Sequence, residues 1–291
     1  MTEFCVEQVK EAKTLFDKYE QYFEENEAEN NLIISLFREL DVKYFEYFII
    51  VVKRKEEFSS IYLMTPPHNL ILYFKKESEK EKEEKYNLLI DFLFEKEINF
   101  PGVFGEATDV ELFYKLLNKK KEVQFDILIT EGVYKLLRKD LIVTEKKENL
   151  QISICEDAEE VLDIITEFQR TVNPFDVIDK ETVRKNAQFF IDLKSMYLLK
   201  NEKKEIVSIC GLQGKTLNGM RVSMVFTPKE FRKNGFASIL VSNVCDEFLE
   251  KNKEFKFIFL FTDLNYSTPN KVYKSIGFQQ VSKFLMTRNK Q

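Results

Sequence analysis

Two groups of residues in the last third of this 291-residue chain have the types and spacing for chemistry. The first is Arg232-Lys233-Asn234-Gly235-Phe236-Ala237, which runs into a helical repeat through Leu240, Val241, Val244 and Phe248. Backbone amides at a helix start lack intrahelical partners and stand at the positive end of the helix dipole, so they suit a phosphate or diphosphate. Gly235 has no side chain to hold such a ligand off, and Ala237 is small enough for the helix start to sit near a sheet. The second group is Asn270 and Tyr273, three residues apart and so on one helix face. A phenol with an ordinary pKa of about 10 is protonated at neutral pH and can donate a proton without any special shift.

The surrounding pattern supplies the elements that must position these groups. Met220, Val222, Met224 and Phe226 alternate with Arg221, Ser223, Val225 and Thr227, the period of a strand, and Pro228 stops the ladder because it has no amide hydrogen. Phe257 to Phe261 reads as a second, buried strand. A short helix then follows, with Ser267 or Thr268 as its expected cap, Pro269 in its first turn and Gly277 at a left-handed exit.

Arg232-x-x-Gly235-x-Ala237 resembles the acetyl-coenzyme A signature of the GCN5-related N-acetyltransferases, Gln/Arg-x-x-Gly-x-Gly/Ala at a strand-to-helix turn. Residues 265–278 resemble the tail of that family, Asn-x-x-x-x-Asn-x-x-Tyr-x-x-x-Gly-Phe, through Asn265, Asn270, Tyr273, Gly277 and Phe278. The resemblance covers about the last half of the chain. It implies transfer of an acetyl group from acetyl-coenzyme A to a primary amine, on a small molecule or a protein, by direct attack on the thioester and without a metal. It also implies roles: Val225, Phe226 and Thr227 would offer backbone groups of a splayed strand to the pantetheine arm and the acetyl carbonyl. Arg232, Lys233, Asn234, Gly235, Phe236 and Ala237 would hold the pyrophosphate, Asn265 and Asn270 would bond the amide arm, and Tyr273 would protonate the departing sulfur. A general base is left open among Glu167, Asp176, Glu230, Asp263 and water. The alternative function is a non-catalytic acyl-coenzyme A sensor or scaffold.

Composition bounds these readings. A 44% hydrophobic and 14% aromatic chain, with 28 Phe and no Trp, can bury substantial cores. With 44 basic and 49 acidic residues the net charge is -5, which offers no global pull on nucleic acid or an acidic membrane. Cys5, Cys155, Cys210 and Cys245 form no Cys-x-x-Cys pair, so reduced, mostly buried thiols are expected, and neither zinc nor a disulfide scaffold. His68 is the sole histidine, which disfavours a Ser-His-Asp triad or a histidine-rich metal centre; it reads as a turn residue in Thr65-Pro66-Pro67-His68-Asn69. The absence of Gly-x-x-x-x-Gly-Lys-Ser/Thr and Gly-x-Gly-x-x-Gly disfavours nucleotide-triphosphate and dinucleotide sites. Residues 1–7 lack a basic start and an apolar core, and no apolar run approaches the roughly 20 residues of a membrane span, so a soluble cytoplasmic monomer or homodimer is expected.

In order, residues 2–48 read as helical, with strands at 44–52, 58–64 and 70–74. Lys75 to Lys85 reads as a solvated loop or helix start. A helix at 86–94, a strand at 98–103, a helix at 110–117 and strands at 123–130 and 132–137 follow. After residue 150 come helices at 158–171 and 181–190 and strands at 195–201 and 205–213, the same kind of succession. An internal duplication is therefore expected, with Phe113-Tyr114-Lys115 standing where Val272-Tyr273-Lys274 stands. The first 101 residues hold no glycine, so the N-terminal copy has no phosphate-cradling turn. Thr65 to His68 resembles a segment in the degenerate N-terminal copy of bacterial two-copy family members. The expected fold is α/β (α+β), two tandem acyltransferase-like domains, each a mixed, mostly antiparallel twisted sheet flanked by helices. The polar stretch from Thr144 to Asn149 marks the expected boundary between residues 1–145 and 146–291.

Overall fold

A computed structural model describes residues 4–37, 40, 46–55, 57–172 and 178–290. Contacts divide the chain into two compact units. One is Met1–Val133 with Asp263–Asn265 and Gln280–Gln291, and the other is Tyr134–Thr262 with Tyr266–Gln279. The units are thus not contiguous halves: the last segment of the chain is built into the first unit.

In the first unit, β1 (Phe4–Val9), β2 (Phe48–Arg54), β3 (Glu57–Met64) and β4 (Leu70–Leu72) pair antiparallel in sequence order. β4 then pairs parallel with β5 (Val103–Glu106), and β5 pairs antiparallel with the last strand, β12 (Gln279–Asn289), beside which lies β6 (Phe125–Leu137). Helices α1 (Ala12–Tyr19) and α2 (Asn31–Phe37) precede β2, α3 (Glu79–Glu95) bridges the parallel pair, and α4 (Ala107–Leu117) follows β5. Ile50, Val52, Tyr62, Leu72, Tyr86, Leu89, Ile90 and Phe113 form its core.

Several expectations for this unit need correction. Phe4–Val9 is a strand where helix was expected, because six residues pair with β2 and tertiary pairing overrides the polar Glu7 and Gln8. The expected strand start at Tyr44 and Phe45 lies outside the described residues. The strand expected over 98–103 forms at Val103–Glu106, and the two strands expected over 123–137 are one. Lys85, read as solvated, is 1% exposed and pairs with Glu77. A mixed-charge run hides this, since one turn of helix can carry a single lysine inward onto a carboxylate.

The second unit repeats the plan. β7 (Gln151–Ile154), β8 (Met196–Lys200), β9 (Ile206–Leu212) and β10 (Gly219–Phe226) pair antiparallel in sequence order. β10 pairs parallel with β11 (Phe257–Asp263), with the end of β6 next. Helices α5 (Leu162–Val172) and α6 (Lys180–Asp192) join β7 to β8, α7 (Phe236–Lys251) bridges the parallel pair, and α8 (Ser267–Ile276) follows β11. On one face Ile164, Ile165, Phe190, Met196, Leu198, Ile209 and Phe226 form a core. Both units are mixed α/β with mostly antiparallel strands. In each, one helix crosses between two parallel strands, as that connection requires.

At the expected boundary, 144–149, the chain is hydrogen-bonded into the second unit. Thr144 N donates to Ser242 Oγ at 2.9 Å, and Asn243 Nδ2 donates to Thr144 O at 2.9 Å, which ties the segment to α7. Ile142 N donates to Ile276 O at 2.8 Å, at the end of α8. Gly277 closes α8 with φ +106, and a Cβ there would stand 1.9 Å from the carbonyl oxygen of Asp140. Gly277→Ala is therefore expected to destabilise the protein by about 2 kcal/mol or more through backbone strain and displacement of this segment. The midpoint and slope of urea unfolding check it; a midpoint equal to wild type would show that the contact yields freely.

Candidate functional site

The site begins where β10 loses its regularity. Its parallel pairing with β11 runs from Gly219↔Phe257 to Arg221↔Phe259, and β10 continues to Phe226 beyond the last of these pairs. On its other side the register with β9 shifts between Ser223 and Phe226, and Met224 adopts φ +49. The uninterrupted alternation read from the sequence is thus broken by a bulge. Val222 and Phe226 are buried, while Met224 and Val225 between them are both half-buried. A bulge bends its strand and re-aims the backbone at the point where it sits. Among the described residues the β11-facing edge of Val225 and the residues after it has no strand partner.

The turn into α7 follows. Lys233 has φ +65 and Gly235 φ +77, with a negative φ at Asn234 between them, an alternation that points successive amides inward as an anion-binding nest. Gly235 is the residue before α7, and no side chain caps the helix. Among the described residues, the amides of Gly235, Phe236, Ala237 and Ser238 donate to no protein acceptor. No atom lies within 4 Å of where a Gly235 Cβ would stand, and the first turn of α7 carries no acid. The arrangement is an open, uncapped cradle of donors.

The side chains of the turn mostly serve the turn itself. Arg232 Nε donates to Thr227 O at 3.0 Å, and its guanidinium lies 5.4 Å from the centre of the Phe226 ring. Asn234 Nδ2 donates to the carbonyls of Phe231 and Arg232 at 3.1 and 3.2 Å. Lys233 is exposed.

Helix α8 presents Asn270 and Tyr273, both buried. It starts at Ser267 after Tyr266, without a side-chain cap, so neither Ser267 nor Thr268 caps it as expected; Asn270 Nδ2 instead reaches back to Tyr266 O at 2.6 Å. Gly277 does make the expected left-handed exit. The Tyr273 ring packs on Tyr134 and Phe278, with centres 6.5 and 5.9 Å away, and burial pushes its phenol well above the ordinary range. Its hydroxyl makes no hydrogen bond among the described residues. Asn265 is exposed in the Asp263–Asn265 segment counted with the first unit, its amide donating to Asp263 Oδ1 at 2.8 Å. Glu167 is half-buried on α5, Glu230 is exposed, and Asp176 lies outside the described residues.

Among the described residues the first unit offers no equivalent cradle. Its α3 begins with Ser78 accepting from Glu81 N at 3.4 Å and donating to Glu81 Oε2 at 2.9 Å, with Glu79 and Glu81 in the first turn, so one amide is capped and the helix start is fronted by acids. Tyr114, the counterpart of Tyr273, has its hydroxyl between Thr287 Oγ1 at 2.9 Å and Asn289 Oδ1 at 2.6 Å, and its ring stacks on Phe125 at 3.8 Å. His68 is an exposed turn residue whose amide donates to Thr65 O at 2.9 Å. A cavity of about 290 Å³ lined by Leu93, Ile98, Phe100, Leu117 and Val123 holds none of the expected site residues. Among the described residues no cluster of three metal-ligating side chains occurs, and no helix is long and apolar enough to cross a membrane.

The fold of the chain, with parallel strands that part beside an uncapped helix start in its second unit, is similar to that of solved GCN5-related N-acetyltransferases. The chain resembles a GCN5-related N-acetyltransferase from Sphaerobacter thermophilus over 99% of its length and 96% of that protein's, at 11% identity and a TM-score of 0.64. An acetyltransferase of the family from Colwellia psychrerythraea gives 12% identity and a TM-score of 0.61, over 98% of this chain and 99% of that one. A tandem protein of the family from the clavulanic acid biosynthesis pathway gives 7% identity and 0.60, over 98% of each. Residues 212–286, which contain β10, the turn, α7, β11 and α8, match the family described as FR47-like protein. No curated protein matches the chain.

Proposed function

We propose that the second unit is an N-acetyltransferase that binds acetyl-coenzyme A at the turn into α7 and passes its acetyl group to a primary amine. The single observation that carries this is the open set of amides from Gly235 to Ser238, without cap, acceptor or acid, at the end of a strand that has parted from its neighbour. The bound thioester supplies the activated acyl group. Gly235, Phe236 and Ala237 hold the diphosphate through their amides, with Lys233 and Asn234 at its rim and Arg232 shaping the turn. Val225, Phe226 and Thr227 line the acyl end with backbone groups, and Asn270 bonds the amide arm. The assignment of Asn265 to that arm rests on the resemblance alone. Tyr273 holds a proton on its phenol oxygen for the departing sulfur.

The capped α3 and the engaged Tyr114 give one such site per chain. Titration calorimetry with acetyl-coenzyme A is expected to show one equivalent bound, and a thiol-release screen over primary amines to show turnover with one of them. Two equivalents would contradict the capping argument. Binding with no turnover over the whole amine screen would favour the sensor.

A further inference from the structure

In the first unit the parallel pairing of β4 with β5 ends at Ile71↔Phe104, and the chain runs on through Tyr73 and Phe74, both buried. Leu70 N donates to Gly102 O at 3.0 Å, so the backbone groups of Leu70 face β5, and by the alternation of an extended chain those of Leu72 and Phe74 lie on the same edge. A buried edge without a strand beside it leaves a donor and an acceptor in need of partners. One side chain supplies both. Asn30 Oδ1 accepts from Phe74 N at 2.8 Å, and Asn30 Nδ2 donates to Phe74 O at 2.8 Å.

A carboxamide carries the same donor and acceptor as a peptide group, and a neighbouring strand engages the N–H and C=O of one residue in the same two-point way. Asn30 therefore stands where one residue of a strand would stand. Its own backbone is fixed, its amide donating to Asn26 O and its carbonyl accepting from Ile34 N, each at 3.0 Å. Tyr73 Oη donates to Tyr22 O at 2.6 Å, and the Tyr73 ring meets Phe23 edge-on with centres 5.6 Å apart, so segment 22–31 lies across this end of β4 as a strap. Asn30 is buried, which keeps water from competing for either bond.

We propose that the Phe74 edge is a binding site for the amide of an extended, peptide-like chain, occupied by the protein's own Asn30, so that the first unit is closed from within and such a chain gains the edge only by displacing the strap. The inference stands on the first unit alone and does not depend on the acyl-transfer reading. It commits the site to one ligand chemistry, a planar group with an acceptor and an N–H donor side by side. A ketone or an ester has no N–H and leaves the Phe74 carbonyl unpaired.

The test is hydrogen exchange of the Phe74 amide in the full chain, with the missing side chain returned as a free molecule. Asn30→Gly removes what amounts to one acetamide, and exchange at Phe74 is expected to quicken by on the order of tenfold or more. Added acetamide slows it again in a saturable way, whereas acetone, of the same shape but without N–H, does not. Wild type responds to neither, because its edge is already filled. Asn30→Ala with formamide is the second variant and serves if Asn30→Gly does not fold. Exchange at the wild-type rate in a folded variant would show that Asn30 does not hold the edge. Quickened exchange that acetamide or formamide leaves unchanged, or that acetone slows equally, would overturn the amide site and leave Asn30 as a clamp of the fold.

Discussion

Tyr273→Phe is expected to lower turnover by on the order of 100-fold while leaving the affinity for acetyl-coenzyme A nearly unchanged. The substitution keeps the ring, which packs between Tyr134 and Phe278, and removes only a hydroxyl that bonds to nothing among the described residues. Folding stability should accordingly move little. What is lost is the proton for the thiolate leaving group, a requirement of the chemical step and not of binding. The pH dependence has a definite sign. Burial raises the phenol above its ordinary range, so the donating form persists through about pH 9 and beyond. An alkaline decline in rate below about pH 10 must then come from another group. The residual activity of Tyr273→Phe should show that same decline, its profile running parallel to that of wild type. Equal turnover of wild type and variant would remove Tyr273 from the mechanism.

Gly235→Asp should weaken acetyl-coenzyme A binding by on the order of 100-fold, about 3 kcal/mol, with a small effect on folding. The position has φ +77 and free space where a side chain would begin, and Asp tolerates the left-handed region better than most residues. The fold therefore has little to lose. The carboxylate, however, would stand among the amides of Gly235 to Ser238 and oppose a diphosphate at the positive end of α7. Gly235→Ala, with the same backbone strain and no charge, separates the two causes and should lose much less. Calorimetry of the three proteins decides it: equal affinities for Asp and wild type would mean that the diphosphate does not sit at this helix start.

The two units show how the same plan can keep or lose a site. α7 begins with a glycine and no acid, whereas α3 begins with a serine cap and two glutamates. The Tyr273 hydroxyl has no partner among the described residues, whereas Tyr114 spends its own on Thr287 and Asn289. Capping satisfies the orphan amides that an anion would otherwise claim, so helix stability and anion binding compete for the same donors.

The linear chain by itself determined the strand, turn and helix of the second unit, because glycine at a helix start, proline after a strand and glycine at a helix exit are local constraints. The absence of glycine before residue 102 likewise predicts no glycine-lined turn in the first unit. Tertiary structure decided the rest. The bulge at Ser223 to Phe226 is a register event between two strands, invisible to an alternation count. β1 exists because β2 is there to pair with it, and Lys85 is buried because Glu77 meets it. Ser208 looks like any serine in an apolar strand until the Phe226 carbonyl is brought to it. Local backbone preference is written residue by residue, but a hydrogen bond between residues 18 apart is set only when the chain has closed around both.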